Sequence, residues 1–331
     1  MAAGQPGRVE GVDTVSGPPK AAQQPDELTQ WAYEDVARWG QGATGAHVAR
    51  HRLHEHPAFS LEAVAALLDR VPREIVHPYT MGTDPTRTQE WQRGEPTDLP
   101  GRELLDVVAR GRLWLNVVGV GDADPEIGRL TTRLYDEIAD LAPDFAPRSV
   151  KATLLVSSPT AQVYYHADNQ PNALWHLHGR KQVYVYPLAP RFVTAAHLEE
   201  VVAGTSDEQL PYRADLDRHA WQGELEPGQV AWWPQNSPHR VVNLDGLNIS
   251  LSTEHRTAAS TRREQVVASN HLARRLGRRE PSQAESGLLT EGKVALARVA
   301  RRVTRGASPA AGPRPTFAVD PSAPDGVRAL T

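Results

Sequence analysis

The 331-residue chain contains no cysteine, only two methionines and four phenylalanines, and just 6% aromatic residues. Without cysteine there is no disulfide scaffold, thiolate zinc site, iron–sulfur cluster or thiol nucleophile. A metal would have to be held by histidine and carboxylate, and 13 histidines keep that route open. Long apolar runs are missing too: no stretch approaches the roughly 20 apolar residues that cross a bilayer. The Gly-, Pro- and Ala-rich start, Met1 to Gln24, has no signal-peptide core. A soluble, cytoplasmic protein without membrane contact is the default expectation. With 40% hydrophobic and 23% charged residues, collagen-like and wholly disordered classes are excluded as well. The length suffices for one large domain or two ordinary ones.

What is present changes texture along the chain. Residues 1–25 carry too little apolar surface to offset the entropy of ordering and read as a disordered arm. Residues 26–149 read as a largely helical region, with Trp31, Val36 and Trp39 near helical spacing. Ser60 is an N-cap for a helix that carries Leu61, Val64, Leu67 and Leu68 and ends before Pro72. A second helix over 126–141 has Ile127, Leu130, Leu134 and Ile138 as its apolar stripe. Between them, 113–118 reads as a strand. From 150 to 255, short Val-, Leu-, Tyr- and Trp-rich runs alternate with turn residues, at 151–156, 162–166, 173–177, 182–186, 229–233, 240–242 and 248–251. That spacing points to a sandwich or barrel. Residues 190–226 look like an insertion, helical around 195–202.

Charge is segregated. Residues 256–331 hold 14 basic against 6 acidic residues, whereas the whole chain has a net charge of −4. Helices are expected over 258–275 and 288–303 (a basic region, 256–306), then a disordered Pro/Ala-rich tail over 307–331.

The chemistry centres on Tyr164-Tyr165-His166-Ala167-Asp168-Asn169-Gln170-Pro171-Asn172. His166 and Asp168 are two apart, so at a strand end they point to one side. One more imidazole would complete the two-histidine, one-carboxylate face typical of non-haem iron(II), which leaves coordination positions open. Alone, His-x-Asp is a weak signal. Two features raise it. Lys181 opens an apolar strand on the same face as Val183 and Val185, and a buried lysine is costly unless it meets an anion such as a dicarboxylate cosubstrate. Downstream, Glu226-Pro227-Gly228-Gln229-Val230-Ala231-Trp232-Trp233-Pro234-Gln235-Asn236-Ser237-Pro238-His239 reads as a turn, a strand and a loop delivering His239 as the third ligand.

From about Leu113 to His255 the sequence resembles the Jumonji-C oxygenases dependent on iron(II) and 2-oxoglutarate. The likeness is greatest to their bacterial cupin-like branch and to the asparaginyl hydroxylase of hypoxia-inducible factor. It rests on the ligand pair, the following asparagine, Gly179-Arg180-Lys181 and the distal histidine, in order and at fitting distances, with Ser157-Ser158-Pro159 before the first ligand strand. The resemblance implies a mainly β fold with α elements: a double-stranded β-helix (jelly-roll, cupin-like) core at 150–255 inside an oxygenase domain at 26–255. It implies His166, Asp168 and His239 as ligands of Fe(II), and Lys181 as partner of the distal carboxylate of 2-oxoglutarate. Asn172 falls where relatives place an asparagine beside the cosubstrate, and Trp114 where some place a cosubstrate-contacting tyrosine. Val163 stands where many have a threonine assisting the lysine, so that hydroxyl is missing. The implied activity is a dioxygenase reaction: O2 and 2-oxoglutarate are consumed, succinate and carbon dioxide form, and a C–H bond is hydroxylated. The expected substrate is an amino-acid side chain in a peptide or protein, or a small natural product.

Plainer readings apply to the other candidates. His176 and His178 are expected to line the barrel or end a hairpin, and His47, His51, His54 and His56 to lie on a solvated loop or helix face. Trp232 and Trp233 are expected in the strand core, and one of Tyr164 and Tyr165 on the cavity side. The arginine pairs of the C-terminal helices are expected to pack on the acidic body or form a homodimer interface rather than bind nucleic acid. Two other functions fit a cupin-like barrel: a non-enzymatic regulator using the basic tail, or a metal-dependent isomerase or lyase.

Overall fold

The computed structural model of the protein describes residues 27–31, 35–36, 45–142, 144–206, 208–303 and 314–330. The arm expected over 1–25, and Trp39, lie outside them. The strands are β1 (His47–Arg50), β2 (Val76–Thr80), β3 (Gln92–Arg93), β4 (Trp114–Val117), β5 (Arg148–Ser157), β6 (Gln162–His166), β7 (Asn172–His178) and β8 (Lys181–Val185). They continue with β9 (Trp221–Leu225), β10 (Gln229–Trp232), β11 (His239–Asn243), β12 (Asn248–Arg256), β13 (Phe317–Val319) and β14 (Val327–Ala329). The longer helices among the described residues are α1 (Leu61–Arg70), α2 (Gly101–Arg110), α3 (Pro125–Leu141), α4 (Ala195–Ala203), α5 (Ala258–Arg275) and α6 (Leu288–Val303).

Two antiparallel sheets face each other. The larger runs β1-β10-β7-β12-β5-β4-β2-β3 and the smaller β6-β11-β8-β9. Strand alternation sorts the side chains. On β5, Leu154 and Val156 join the core shared with Leu67, Leu104 and Leu134 of the helices. Leu155, between them in sequence, turns the other way and packs with Leu174, Val183 and Val241 between the sheets. Helices thus cover the outer face of the larger sheet, and the inter-sheet space receives the remaining side chains.

Local sequence explains the helices. Ser60 Oγ accepts a bond from Ala63 N at 3.1 Å and starts α1, whose Val64, Leu67 and Leu68 are buried. Asp124 starts α3 by accepting from Glu126 N and Ile127 N at 3.0 and 3.1 Å, and it pairs with Arg70 at 2.7 Å. The outer face of the smaller sheet is covered by the 190–226 insertion, pinned by Arg240. That guanidinium lies 3.5 Å above the Tyr184 ring and bonds Tyr186 Oη and Asp217.

Several expectations need correction. The region 26–149 is not mainly a helical preface, because β1, β2, β3 and β4 extend the larger sheet. Short edge strands such as His47–Arg50 carry little alternation to read. His51, expected on a solvated face, is buried: its Nε2 lies 3.1 Å from Gln229 O and its Nδ1 accepts from Leu53 N. The insertion also contains β9, which pairs with β8. Finally, residues 314–330 of the expected disordered tail form the β13–β14 hairpin. Phe317 is its anchor. Its ring occupies the space left by Gly94, where a Cβ would lie 2.7 Å from ring carbons. A missing side chain leaves no apolar signal in a sequence, so that docking site was invisible.

The anchor is testable. Phe317→Ala is expected to destabilise the full chain by about 3–5 kcal/mol in urea unfolding, as for other buried aromatic truncations. Gly94→Ala is expected to destabilise it too, by steric conflict. An unchanged midpoint for both would mean that the hairpin is not docked.

Candidate metal centre

β6 and β11 are neighbouring antiparallel strands, and their register sets His166 directly opposite His239. Asp168 follows β6 by two residues. The three side chains offer ligand atoms all within 4.8 Å of one another, and among the described residues no other trio of His, Asp or Glu does so. His166 Nε2 lies 3.5 Å from Asp168 Oδ1, and His239 Nε2 lies 3.4 Å from Asp168 Oδ2. Two donors each about 2.1 Å from one first-row ion stand about 3.0–3.4 Å apart at octahedral to tetrahedral angles. The arrangement is therefore close to ligand spacing already.

The tautomers are fixed by the backbone. His166 Nδ1 lies 2.8 Å from Tyr164 O, and His239 Nδ1 lies 3.0 Å from Ser237 O. A carbonyl only accepts, so each Nδ1 carries the proton and each Nε2 presents its lone pair. The three groups set one another's charge. Burial raises the Asp168 carboxyl, but the two imidazoles outweigh it and hold the pKa below the carboxylate range. Burial, then the charge of His166, pushes His239 below the ordinary imidazole value. Burial also lowers His166, but the bond to Asp168 prevails and its pKa ends above that value.

A framework of amides holds the carboxylate. Asn172 Nδ2 donates to Asp168 Oδ2 at 3.1 Å, and Ser252 Oγ donates to Asn172 Oδ1 at 3.1 Å. Asn172, expected beside a cosubstrate, is thus bonded to the carboxylate itself. Asn236 Nδ2 donates to the Asp168 carbonyl at 2.9 Å, and Gln235 Nε2 to the Asn169 carbonyl at 2.9 Å. Asn236 is 2% exposed and has φ of 65°, a left-handed conformation that asparagine tolerates better than most residues. From α5, Arg263 Nε donates to Asn236 Oδ1 at 2.9 Å. Sequence reasoning missed Asn236 and Arg263. The one available signal was an asparagine between prolines just before His239. The edge of β6 is closed by residues 208–210, with Ala167 N bonding Glu208 O and Leu210 N bonding Tyr165 O.

Lys181 is 3% exposed and shares its strand face with the buried Val183 and Val185. Desolvation alone pushes its pKa from 10.5 to about 7. Among the described residues no carboxylate compensates it. That shift corresponds to on the order of 5 kcal/mol against the charged form. Trp114 is 9% exposed, its ring packed on Tyr79 and Trp91, and its buried Nε1 finds no acceptor. Asn243, paired with Lys181 across β11 and β8, likewise has an unsatisfied Oδ1. Val163 packs between the sheets without a hydroxyl.

The remaining candidates are structural. His176 is held between Ser250 Oγ at 2.9 Å and Gly179 O at 2.8 Å, and His178 Nε2 lies 2.6 Å from Phe59 O. Trp232 and Trp233 are buried, and the Trp233 ring centre lies 4.4 Å from that of His239. Tyr164 turns toward the loop before β3, where its Oη accepts from Gly82 N at 3.0 Å. Tyr165 turns into the cluster under the insertion. No helix among the described residues is long and apolar enough to cross a membrane.

No protein-family model matches the chain, and no curated protein matches it by sequence. Among solved structures it is similar to the X-ray structure of YcfD from Escherichia coli, with 16% identity over 84% of this chain and 69% of that one, and a TM-score of 0.49. A structure of YcfD described as a ribosomal oxygenase in complex with cobalt and 2-oxoglutarate matches with 17% identity over 84% and 68%, at a TM-score of 0.47. The same protein with cobalt and succinic acid gives 17% identity, the same coverage and a TM-score of 0.46. Likeness at this level assigns no activity, so function must be argued from the chain's own side chains.

The Arg263–Asn236–Asp168 contact gives a direct expectation. Arg263→Ala should weaken Co(II) binding by about 10–100-fold, the usual effect of losing a group that orients a ligand. Calorimetric titration checks it, with far-UV circular dichroism to establish that the fold persists. Arg263→Lys keeps the charge but not the planar donor and should recover only part of the affinity.

Proposed function

We propose that the chain is a metal-dependent oxygenase on a double-stranded β-helix, its two facing sheets being the two halves of that jelly roll. More narrowly, it takes Fe(II) and 2-oxoglutarate and hydroxylates an unactivated C–H bond. The substrate is an amino-acid side chain of a peptide or protein, or a small natural product. The observation that carries this reading is the convergence of two imidazole Nε2 atoms and one ionised carboxylate, each oriented by backbone or amide bonds. A two-nitrogen, one-carboxylate face suits a ferrous ion and leaves positions for exchangeable ligands.

The residues also fit the cosubstrate. A buried ammonium without a counter-charge and a buried indole N–H without an acceptor are what an enclosed carboxylate requires. Lys181 would neutralise the distal carboxylate and Trp114 Nε1 is available to donate to it, while His166, Asp168 and His239 would hold the iron. When bound, the iron would activate O2, the oxidant, with two of the four electrons coming from oxidative decarboxylation of the keto acid and two from the C–H bond. The protein orients that bond, fixes the imidazole tautomers and keeps bulk water out. Asp168 stays ionised throughout, because Asn172 donates to it and both imidazoles face it.

The test is spectroscopic and chemical. Under anaerobic conditions, Fe(II) with 2-oxoglutarate should give a weak visible charge-transfer band, absent in His166→Ala and Asp168→Ala. With oxygen, succinate should form, and a substrate should gain the mass of one oxygen. A band retained in both variants would reject the ligand assignment. Substrate conversion without oxygen or 2-oxoglutarate would favour an isomerase or lyase instead.

Lys181 yields a pH expectation with a definite sign. Its depressed pKa of about 7 means that the free site loses its positive charge as pH rises through neutrality. A bound carboxylate raises that pKa, so binding takes up a proton. Affinity for 2-oxoglutarate with Co(II) should therefore fall about tenfold per pH unit above 7. Lys181→Met should lose this dependence and most of the affinity. It should also raise the melting temperature by a few degrees, since an uncompensated buried charge is removed. Unchanged cosubstrate affinity in Lys181→Met would refute the role.

A further inference from the structure

A cation-lined cavity lies away from the inter-sheet space. The start of β5, the first turns of α5 and the middle of α6 enclose about 360 Å³. Arg148, Arg262 and Arg298, one from each element, all line it. Its floor includes Val294, which is 2% exposed. Neutral polar side chains complete the wall: Thr257, Thr261 and Gln265.

The charge on this wall is not balanced from within. Arg262 is held in place, with Nε donating to Glu285 O at 2.8 Å and a terminal nitrogen donating to Glu291 Oε1 at 2.6 Å. Glu291 is thereby bonded to Arg262, and it also feels the charge of Arg298 at longer range. Among the described residues, neither Arg148 nor Arg298 has a carboxylate within ion-pair distance. Three guanidinium groups on one cavity with one carboxylate leave an excess of about two positive charges. Like charges gathered on one wall repel, and two of the three belong to the basic C-terminal region.

We propose that this cavity binds a phosphate-bearing small molecule, of the size of a nucleoside diphosphate. Guanidinium groups pair with phosphate oxygens in a forked geometry that lysine cannot reproduce, and all three cations here are arginine. The volume lies within the range of about 300–1,000 Å³ typical of small-ligand sites and exceeds what a lone oxyanion fills. Hydroxyl and amide groups beside the arginines supply the neutral contacts that orient an organic moiety. The cavity is recessed between two helices and a strand end, which favours a discrete ligand over a polymer backbone. None of this depends on the metal-centre reading.

The test is calorimetric titration of the full chain with inorganic diphosphate and with adenosine diphosphate at low ionic strength. Both should bind, and the Arg148→Gln/Arg298→Gln double variant should lose at least about tenfold in affinity for each. Both arginines are exposed and, among the described residues, without a carboxylate in direct contact, so the variant should keep the wild-type melting temperature. Tighter binding of the nucleotide would assign the organic group to the cavity, and equal binding would assign the phosphates alone; either supports the site. Lys181→Met serves as control and should bind both probes like wild type. The proposal is overturned by no binding at millimolar probe, by equal binding in the double variant, or by loss in Lys181→Met. A single-stranded oligonucleotide binding orders of magnitude more tightly, and lost in the double variant, would also overturn it in favour of nucleic acid.

Discussion

The site depends on one backbone constraint, the antiparallel register that sets His166 on β6 against His239 on β11. Because strand side chains alternate with a period of two, a slip of one residue would send one imidazole to the outer face, where Arg240 already lies against the insertion. The register shifts between His239 and Val241, so the histidine pair is held while the rest of the strand follows a different phase. Such irregularities re-aim side chains next to functional sites. Nothing else in the triad has comparable leverage. Asp168 follows β6 by two residues, and the amides around it adjust to where the strand ends.

Much of this was legible in the sequence, for an identifiable reason. His166, Asp168, Lys181 and His239 are chemistry-bearing residues at strand ends, where alternation and turn residues mark their direction. The helices over 61–70, 126–141, 258–275 and 288–303 were readable because each carries a cap or a long periodic stripe. What escaped has no such mark. β1 is four residues long, β3 is two, and Gly94 acts by lacking a side chain. Asn236 and Arg263 are 27 positions apart and meet only because α5 returns across the loop after β10. A hydrogen bond between distant polar residues leaves no periodicity behind.

The C-terminal basic region gains a different meaning from this geometry. Its arginine pairs read as a solvated or partner-seeking surface, yet they divide by task. Arg263 reaches the loop behind the carboxylate, Arg274 is engaged by the buried Glu199 of α4, and Arg262 is tied to Glu291. α5 is thus part of the scaffold of the candidate metal centre and not an appendage to it. Only once those obligations are met does an excess of cation remain, on the wall shared by Arg148 and Arg298.

Lys181 and the arginine cavity show two ways in which a fold can hold positive charge. At Lys181 a single charge is withdrawn from water, and that desolvation depresses its pKa. An anion bound there, as the proposed function requires, would offset that desolvation, so its binding would be steep in pH and little screened by salt. At the cavity the guanidiniums stay half in water and charged at every accessible pH, so attraction is pH-independent and falls with ionic strength. The absence of a hydroxyl at Val163 sharpens the contrast. If Lys181 holds a dicarboxylate as proposed, it must do so without help from a hydroxyl at that position, and the charge of this single titratable group sets the strength of binding.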